Sequence, residues 1–300
     1  MKKILERKIS INNEYLIGGI ALVFAIAVFT FWRIFLGINP IWQIMPSQMQ
    51  KTANLAAPLE NAASTEKQIY PIPILMYHHI GGLPPEADAV RADLTVSAQN
   101  FELQVAWLKS QGYQSISLSG LSDLIKNKEK IPEKTIIFTF DDGYAETLQN
   151  APEILKNYGF TGSFAIITQF PGIDYGTNQY ATWQQIKQAK AMGMEIVSHT
   201  QDHFDGTDKK YDEAFILRNL SDSKKDIKNN LGIDTNILVY PFGHYDKRYI
   251  QLARQAGFEM GITTQEGSAS ASSSLMEITR LRVHGQESLE IFQKLFEAKK

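Results

Sequence analysis

The chain of 300 residues contains no cysteine. Disulfides and thiolate metal sites are therefore excluded, and any metal must be held by imidazole and carboxylate groups. An excess of one charge is also missing: 30 Lys and Arg stand against 32 Asp and Glu, a formal net charge of −2. Nothing in that balance draws a polyanion, which speaks against nucleic acid as a partner. No Gly-rich phosphate loop follows an early strand, which counts against an open doubly wound nucleotide-binding sheet. No internal repeat and no long low-complexity tract is present.

Charge is absent from one long stretch in particular. Leu16 to Trp32 carries none and, with Phe35, Leu36 and Ile38, reaches the ~20 residues that span a bilayer as a helix. Lys2, Lys3, Arg7 and Lys8 precede it, against Glu6 and Glu14. The positive-inside rule then puts the N-terminus in the cytoplasm and the bulk of the chain outside. Trp32 and Trp42 suit an interfacial belt, and Arg33 can snorkel. The run is long for a signal peptide, and no small-x-small cleavage site follows closely. The expected organisation is a basic cytoplasmic tail (1–14), an uncleaved signal-anchor helix (15–38), a flexible linker (39–70) with Pro40, Pro46 and Pro58, and a folded domain (71–300).

From Pro71 onward short apolar runs alternate with amphipathic segments. The expected strands are 72–77, 115–118, 135–140, 163–167, 195–198, 237–240, 260–263 and 277–283. Ser97 caps a helix carrying Phe101, Val105 and Leu108, and Thr182 with Gln185 forms a capping box. The Ser/Ala stretch 268–274 reads as a flexible loop. Some eight strands alternating with helices predict an α/β fold with a parallel sheet, closed or nearly closed into a barrel. Polar residues gather at the strand ends, the active-site face of such barrels: His78, Asp141, His199 and Pro241-Phe242-Gly243.

The run Thr135 to Phe140 ends in Asp141-Asp142-Gly143-Tyr144. Two carboxylates after a buried run need a cation or shifted pKa values, although an Asp-Gly pair can also simply turn the chain. Downstream, Glu195 to Ser198 delivers His199 and His203, whose spacing sets both rings on one face of a helix or tight turn. Two imidazoles and one carboxylate make an open site for a divalent ion. Zn²⁺ is the first expectation; Co²⁺, Mn²⁺ and Fe²⁺ stay open. The second carboxylate is then free to act as a base in metal-assisted hydrolysis. Thr200 lies between the histidines, where it can donate to substrate or serve the turn.

Thr139-Phe140-Asp141-Asp142-Gly143 and His199-Thr200-Gln201-Asp202-His203 resemble the first two motifs of the polysaccharide deacetylases, the NodB-homology domain of carbohydrate esterase family 4. The resemblance covers residues 71–285 and implies a distorted (β/α) barrel, a divalent metal and hydrolysis of N-acetyl groups on a glycan. It implies Asp141 as base, with Asp142, His199 and His203 on the metal. The third motif departs from the usual Arg-x-Pro-Tyr: Val239-Tyr240-Pro241-Phe242-Gly243 is similar to the subgroup acting on poly-N-acetylglucosamine. The Phe242 N–H is then expected at the oxyanion, with Tyr240 beside the substrate. The arginine that supports the base is absent there, and Arg280 is expected to replace it, with Arg282 the alternative on the same strand face. Pro73 to His79 resembles the front motif of circularly permuted members and implies His78 as general acid, ahead of His79; His284 is a further candidate by chemistry alone. His244 is expected in a loop near the mouth. The expected partners are an acetylated extracytoplasmic glycan, the membrane through the N-terminal helix, and a polysaccharide synthase or export machinery. Peptidoglycan, chitin or xylan as substrate, and an inactive anchored glycan-binding module, are the alternatives.

Overall fold

A computed structural model describes residues 71–297. The expected tail, anchor helix and linker (1–70) lie outside the described residues. Among the described residues no helix is long and apolar enough to cross a membrane. In chain order the elements are β1 (Ile74–Tyr77), β2 (His79–Ile80), α1 (Ala89–Leu94), β3 (Thr95–Val96), α2 (Ala98–Ser110), β4 (Gln114–Ser115), α3 (Leu118–Lys126), β5 (Thr135–Phe140) and α4 (Ala145–Asn157). They continue with β6 (Ser163–Ile166), β7 (Asp174–Tyr175), β8 (Asn178–Gln179), α5 (Trp183–Ala191), β9 (Glu195–Ser198) and α6 (Glu213–Leu231). The last are β10 (Ile237–Val239), a 3₁₀ turn (Pro241–Gly243), α7 (Lys247–Gln255), β11 (Met260–Glu266), β12 (Ile278–Arg282) and α8 (Leu289–Glu297).

Seven strands pair in the order β1-β12-β11-β10-β9-β6-β5, and β5 returns to β1 to close the ring. Every pairing in the ring is parallel. The expected barrel is therefore present with seven members; β4 pairs only beside the first residues of β5. Strand alternation explains the closure. Ile74, Ile137, Val197, Val239, Ile262 and Ile278 form one buried cluster inside the barrel. The alternate positions Leu75, Phe138, Phe140, Phe164 and Ile196 belong to a second cluster beneath the helices. Leu118 and Leu121 of α3 join the inner cluster and plug the barrel at its N-terminal end.

Side-chain caps set the helix starts. Ser97 accepts from Asn100 N–H, Asp212 from Phe215 N–H and Asp246 from Tyr249 N–H, and the Thr182/Gln185 capping box is formed. One expected boundary moves for the same reason: Ser117 accepts from Gly120 N–H, so Leu118 opens a helix instead of ending a strand. The 268–274 segment is tied to the body, because Ala269 is buried and exchanges two backbone hydrogen bonds with Ile72, at 2.7 and 3.0 Å.

Candidate active site

The barrel's register brings its strand ends level. Tyr77 pairs with Phe140, Ile166 with Ser198, and Ser198 with Leu238. His78, Asp141 and His199 therefore emerge at one rim. Alternation aims them inward: Asp141 shares the face of Ile137 and Thr139, Arg280 that of Ile278, His199 that of Val197 and His78 that of Ile74. A cleft of about 530 Å³ opens there, lined by His78, Asp141, Asp142, His199, His203 and Phe242 among others.

Asp141 is buried and held in a fork. Its Oδ1 accepts from Arg280 Nη1 at 2.8 Å and its Oδ2 from Arg280 Nη2 at 2.7 Å. Arg280 is 0% exposed and donates two further bonds, to Thr263 O (2.8 Å) and Thr139 Oγ1 (3.0 Å). An irregularity between β11 and β12 accompanies this: β11 advances from Ile262 to Glu266 while β12 advances from Ile278 to Arg280. Burial would raise the Asp141 pKa, but the guanidinium more than offsets it and holds the carboxyl below its ordinary value. Arg280, rather than Arg282, is thus the arginine that supports Asp141. His78 Nε2 lies 4.0 Å from Asp141 Oδ2. Burial pushes the His78 ring below its ordinary pKa despite that carboxylate, so it is neutral at pH 7 in the resting site.

Asp142 and Gly143 both take left-handed backbone (φ 72° and 83°), which turns the chain back over the barrel mouth. Asp142 Oδ1 lies 3.2 Å from His199 Nε2 and 3.4 Å from His203 Nε2. The two histidines come off β9 in a tight turn, with Thr200 and His203 at positive φ. His199 Nδ1 must donate to Val239 O (2.8 Å), because a carbonyl only accepts; this turns Nε2 toward Asp142. One ligand atom from each residue lies within 4.8 Å of the others. The charge state fits a cation as well. Burial would raise Asp142, yet its histidine neighbours hold it far below a normal carboxyl; burial would lower His199, yet Asp142 raises it. Burial, with His199 next, brings His203 down to about 4. The donor set fits a divalent ion such as Zn²⁺.

The other expected residues divide. Phe242 sits at the cleft with φ 60° and is 55% exposed, its ring centroid 4.7 Å from that of His203. Gly243 follows at φ 73°, where an added Cβ would meet Thr264 N at 2.5 Å. Tyr240 reaches the cleft wall, but its ring falls on the outer face with Leu238 and Tyr249, and its hydroxyl donates to Met276 O (3.1 Å). The expected contact between its side chain and substrate is therefore not supported. Thr200 is fully buried and its Oγ1 accepts from His203 N–H (3.0 Å), so it serves the turn rather than the cleft. His79 has the opposite parity to His78; it stacks on Tyr144 at 3.7 Å and pairs with Glu146 at 2.9 Å. His284 pairs with Asp93 and His244 with Asp205.

Several supporting groups were not foreseen. Thr139 Oγ1 donates to Leu75 O (2.7 Å) while accepting from Arg280, and its place two residues before Asp141 was the signal for it. Tyr144, directly after the Asp-Asp-Gly turn, has its hydroxyl pKa pushed far up by burial and by the Asp142 charge. The carbonyls of Val239 and Thr263 carry no sequence signal, because any residue supplies one.

Residues 128–261 match the family model described as Polysaccharide deacetylase. A Bacillus subtilis protein named for the same activity, YxkH, is 32% identical over 214 residues, 71% of each chain. The chain belongs to the polysaccharide deacetylase family. In this family of amide-cleaving hydrolases, the Streptococcus pyogenes deacetylase PplD, solved in complex with acetate, is 30% identical. It superposes with a TM-score of 0.69 over 77% of this chain and 99% of its own. Enzymes named poly-beta-1,6-N-acetyl-D-glucosamine N-deacetylase are more distant. The Staphylococcus aureus protein is 27% identical over 63% of this chain and 68% of its own, whereas this deacetylase chain spans only 35% of the Escherichia coli K12 protein.

Proposed function

We propose that this deacetylase removes N-acetyl groups from a glycan, with a poly-N-acetylglucosamine type of polymer as the first candidate, and that it requires a divalent metal. The observation that carries the proposal is the meeting, in one cleft, of a convergent Asp142/His199/His203 donor set with an Arg280-braced Asp141. The named activity of the S. aureus and E. coli relatives supports the choice of polymer.

Asp142, His199 and His203 would hold the metal. When bound, it supplies Lewis-acid polarisation of the acetyl carbonyl and acidifies water. Asp141 takes the proton of the attacking water; its fork with Arg280 keeps it ionised and aimed. The Phe242 backbone N–H stabilises the oxyanion as negative charge develops. His78, neutral at rest and 4.0 Å from Asp141, takes up the water-derived proton from Asp141 and passes it to the departing nitrogen as the C–N bond breaks, so that the nitrogen leaves as the amine. The products are acetate and a glucosamine residue.

Residues 15–38 are proposed as the anchor that sets this site on the outer side of the membrane, a placement supported by the charge asymmetry of the N-terminus. A panel of N-acetylglucosamine oligomers, peptidoglycan fragments, chitin and acetylated xylan, assayed for acetate with Zn²⁺ and with chelator, tests the reaction. Metal-dependent release from β-1,6-linked N-acetylglucosamine is expected. Release that persists in full under chelation removes the metal from the proposal, and binding to the panel without release replaces the enzyme with a glycan-binding module.

A further inference from the structure

Arg282 is the charged residue of the cleft that the proposed reaction leaves unused. It lies two residues beyond Arg280 on β12, on the same face and one step nearer the mouth, level with Met76 of β1. Its backbone is fixed, because its N–H donates to Glu266 Oε1 at 3.2 Å and the next residue's N–H donates to Met76 O. Its side chain is half-buried and lines the cleft. Among the described residues the Arg282 guanidinium has no hydrogen bond and no ion pair. The other ionisable groups lining the cleft all have neighbours: Asp141 has Arg280 and His78, Asp142 has His199 and His203, and Asp93 has His284.

A partly desolvated guanidinium without a partner is unfavourable unless something completes it. The planar five-donor fork fits a carboxylate or phosphate in two-point contact. The same cleft offers two exposed apolar side chains, Val90 of α1 at 66% and Phe242 at 55%, surfaces on which the apolar face of a sugar ring can rest. We propose that Arg282 is a specificity residue that binds an anionic substituent, a carboxylate or a phosphate, carried by the glycan beside the acetamido group that is cleaved. This rests on the deacetylase reading for the identity of the ligand as a glycan, but it concerns binding and not the chemical step. It adds to that reading a preference, within acetamido glycans, for an acidic substituted form over the unsubstituted polymer.

Three matched probes test it: a β-1,6-linked N-acetylglucosamine tetramer, the same tetramer carrying carboxymethyl on O-4 of its internal sugars, and the same tetramer carrying phosphate there. Binding is measured by calorimetry and turnover by acetate release, for the wild type, Arg282→Gln and Arg282→Lys. The wild type is expected to bind at least one anionic tetramer about tenfold or more tighter than the neutral one, and the stronger of the two identifies the anion. Arg282→Gln should reduce that ratio to near one, through KM rather than kcat, and Arg282→Lys should restore part of it. Equal wild-type affinity for all three probes overturns the proposal, as does a Gln variant that keeps the preference. A variant that loses neutral and anionic binding equally also overturns it, since that is the mark of a structural role. An Arg282-dependent preference without acetate release from any tetramer upholds the anion site and overturns the deacetylase reading. Acetate release without preference does the reverse.

Discussion

Asp141 and Asp142 are neighbours in the chain and in space, yet each meets the cost of a buried carboxylate in a different way. Asp141 has a partner built into the fold: Arg280, fully buried, closes both of its oxygens in a fork. Asp142 has two imidazoles and the Tyr144 hydroxyl beside it, and the carboxylate and imidazoles crowd together with His199 pulled toward its protonated form. The inner pair is neutral in sum and rigid. In the outer trio the pull of Asp142 on a His199 proton marks the place where a positive charge is favoured. In the proposed reaction, one unit therefore keeps a base ionised in a low-dielectric barrel, and the other would hold the metal. The left-handed turn at Asp142-Gly143 lets adjacent residues serve both ends.

The sharpest way to break the comparison is to remove a donor from the outer trio. His203→Ala should bring acetate release to background, a loss of about 10⁴-fold or more, because the polarising ion is lost with it. Its folded state should change little, since His203 is partly exposed and lies in a turn. Added Zn²⁺ should raise the melting temperature of the wild type but not of the variant. A variant that still binds Zn²⁺ with wild-type activity would remove His203 from the site.

The inner pair should respond in the opposite sense, through stability. Arg280→Met leaves Asp141 buried without its cation and should cost about 3–5 kcal/mol in denaturant unfolding. Adding Asp141→Asn should recover part of that loss, a coupling that a double-mutant cycle reads directly. The pH dependence has a definite sign. The folded pKa of Asp141 lies below its ordinary 3.8, so its contribution is present above that value and is lost as pH falls through the lower, folded one. Asp141→Asn should flatten this part of the acid-unfolding curve; an unchanged curve would mean that the pair contributes nothing to it.

His78, 4.0 Å from the inner pair, gives the next smaller effect. His78→Ala should lower acetate release from N-acetylated oligomers about 10²–10³-fold. Hydrolysis of an aryl acetate, whose leaving group needs no proton, should fall less than about tenfold. Equal losses on both substrates would show that His78 positions rather than protonates.

The barrel was legible in the sequence because strands buried on both faces read as short continuous apolar runs between amphipathic segments, and period-2 geometry then assigns each residue of a run to one face. The same alternation separates His78 from His79 and puts Arg280 and Arg282 on one face. It could not choose between the two arginines, because that depends on depth: Arg280 lies one inward-facing step deeper, from where its guanidinium reaches up to Thr139 and Asp141, and Arg282 lies level with Met76 and Thr139, nearer the mouth. Applied to Tyr240, it would have turned the ring away from substrate, beside Leu238, where the structure has it. For Thr200 the sequence leaves both a donor role and turn chemistry open, because motifs report residue type and not the hydrogen bonds a turn consumes; the structure shows the turn. Helix α1 left no periodic signal because none of its residues is buried, although Val90 and Asp93 line the cleft. Seven-fold closure was also out of reach. β4 reads as a strand in sequence, and only its two-residue pairing beside β5 shows that it lies outside the ring.

The smallest expected effect separates rigidity of the inner pair from its charge. Thr139 is fully inside the barrel, donating to Leu75 O and accepting from Arg280 Nη1. Thr139→Val keeps the shape and both charges but leaves one guanidinium N–H without its acceptor. The cost should be about 1–2 kcal/mol, the usual penalty for one unmet buried donor. Turnover should fall less than tenfold, since the two bonds from Arg280 to Asp141 remain. A loss as large as that of Arg280→Met would mean that the fork depends on the hydroxyl for its aim. No loss at all would mean that the two-point contact with Asp141 and the Thr263 carbonyl suffice to fix Arg280. Either result bears on why the inner pair can lie beside an open cleft: its orientation is set from inside the barrel, by groups that substrate never reaches.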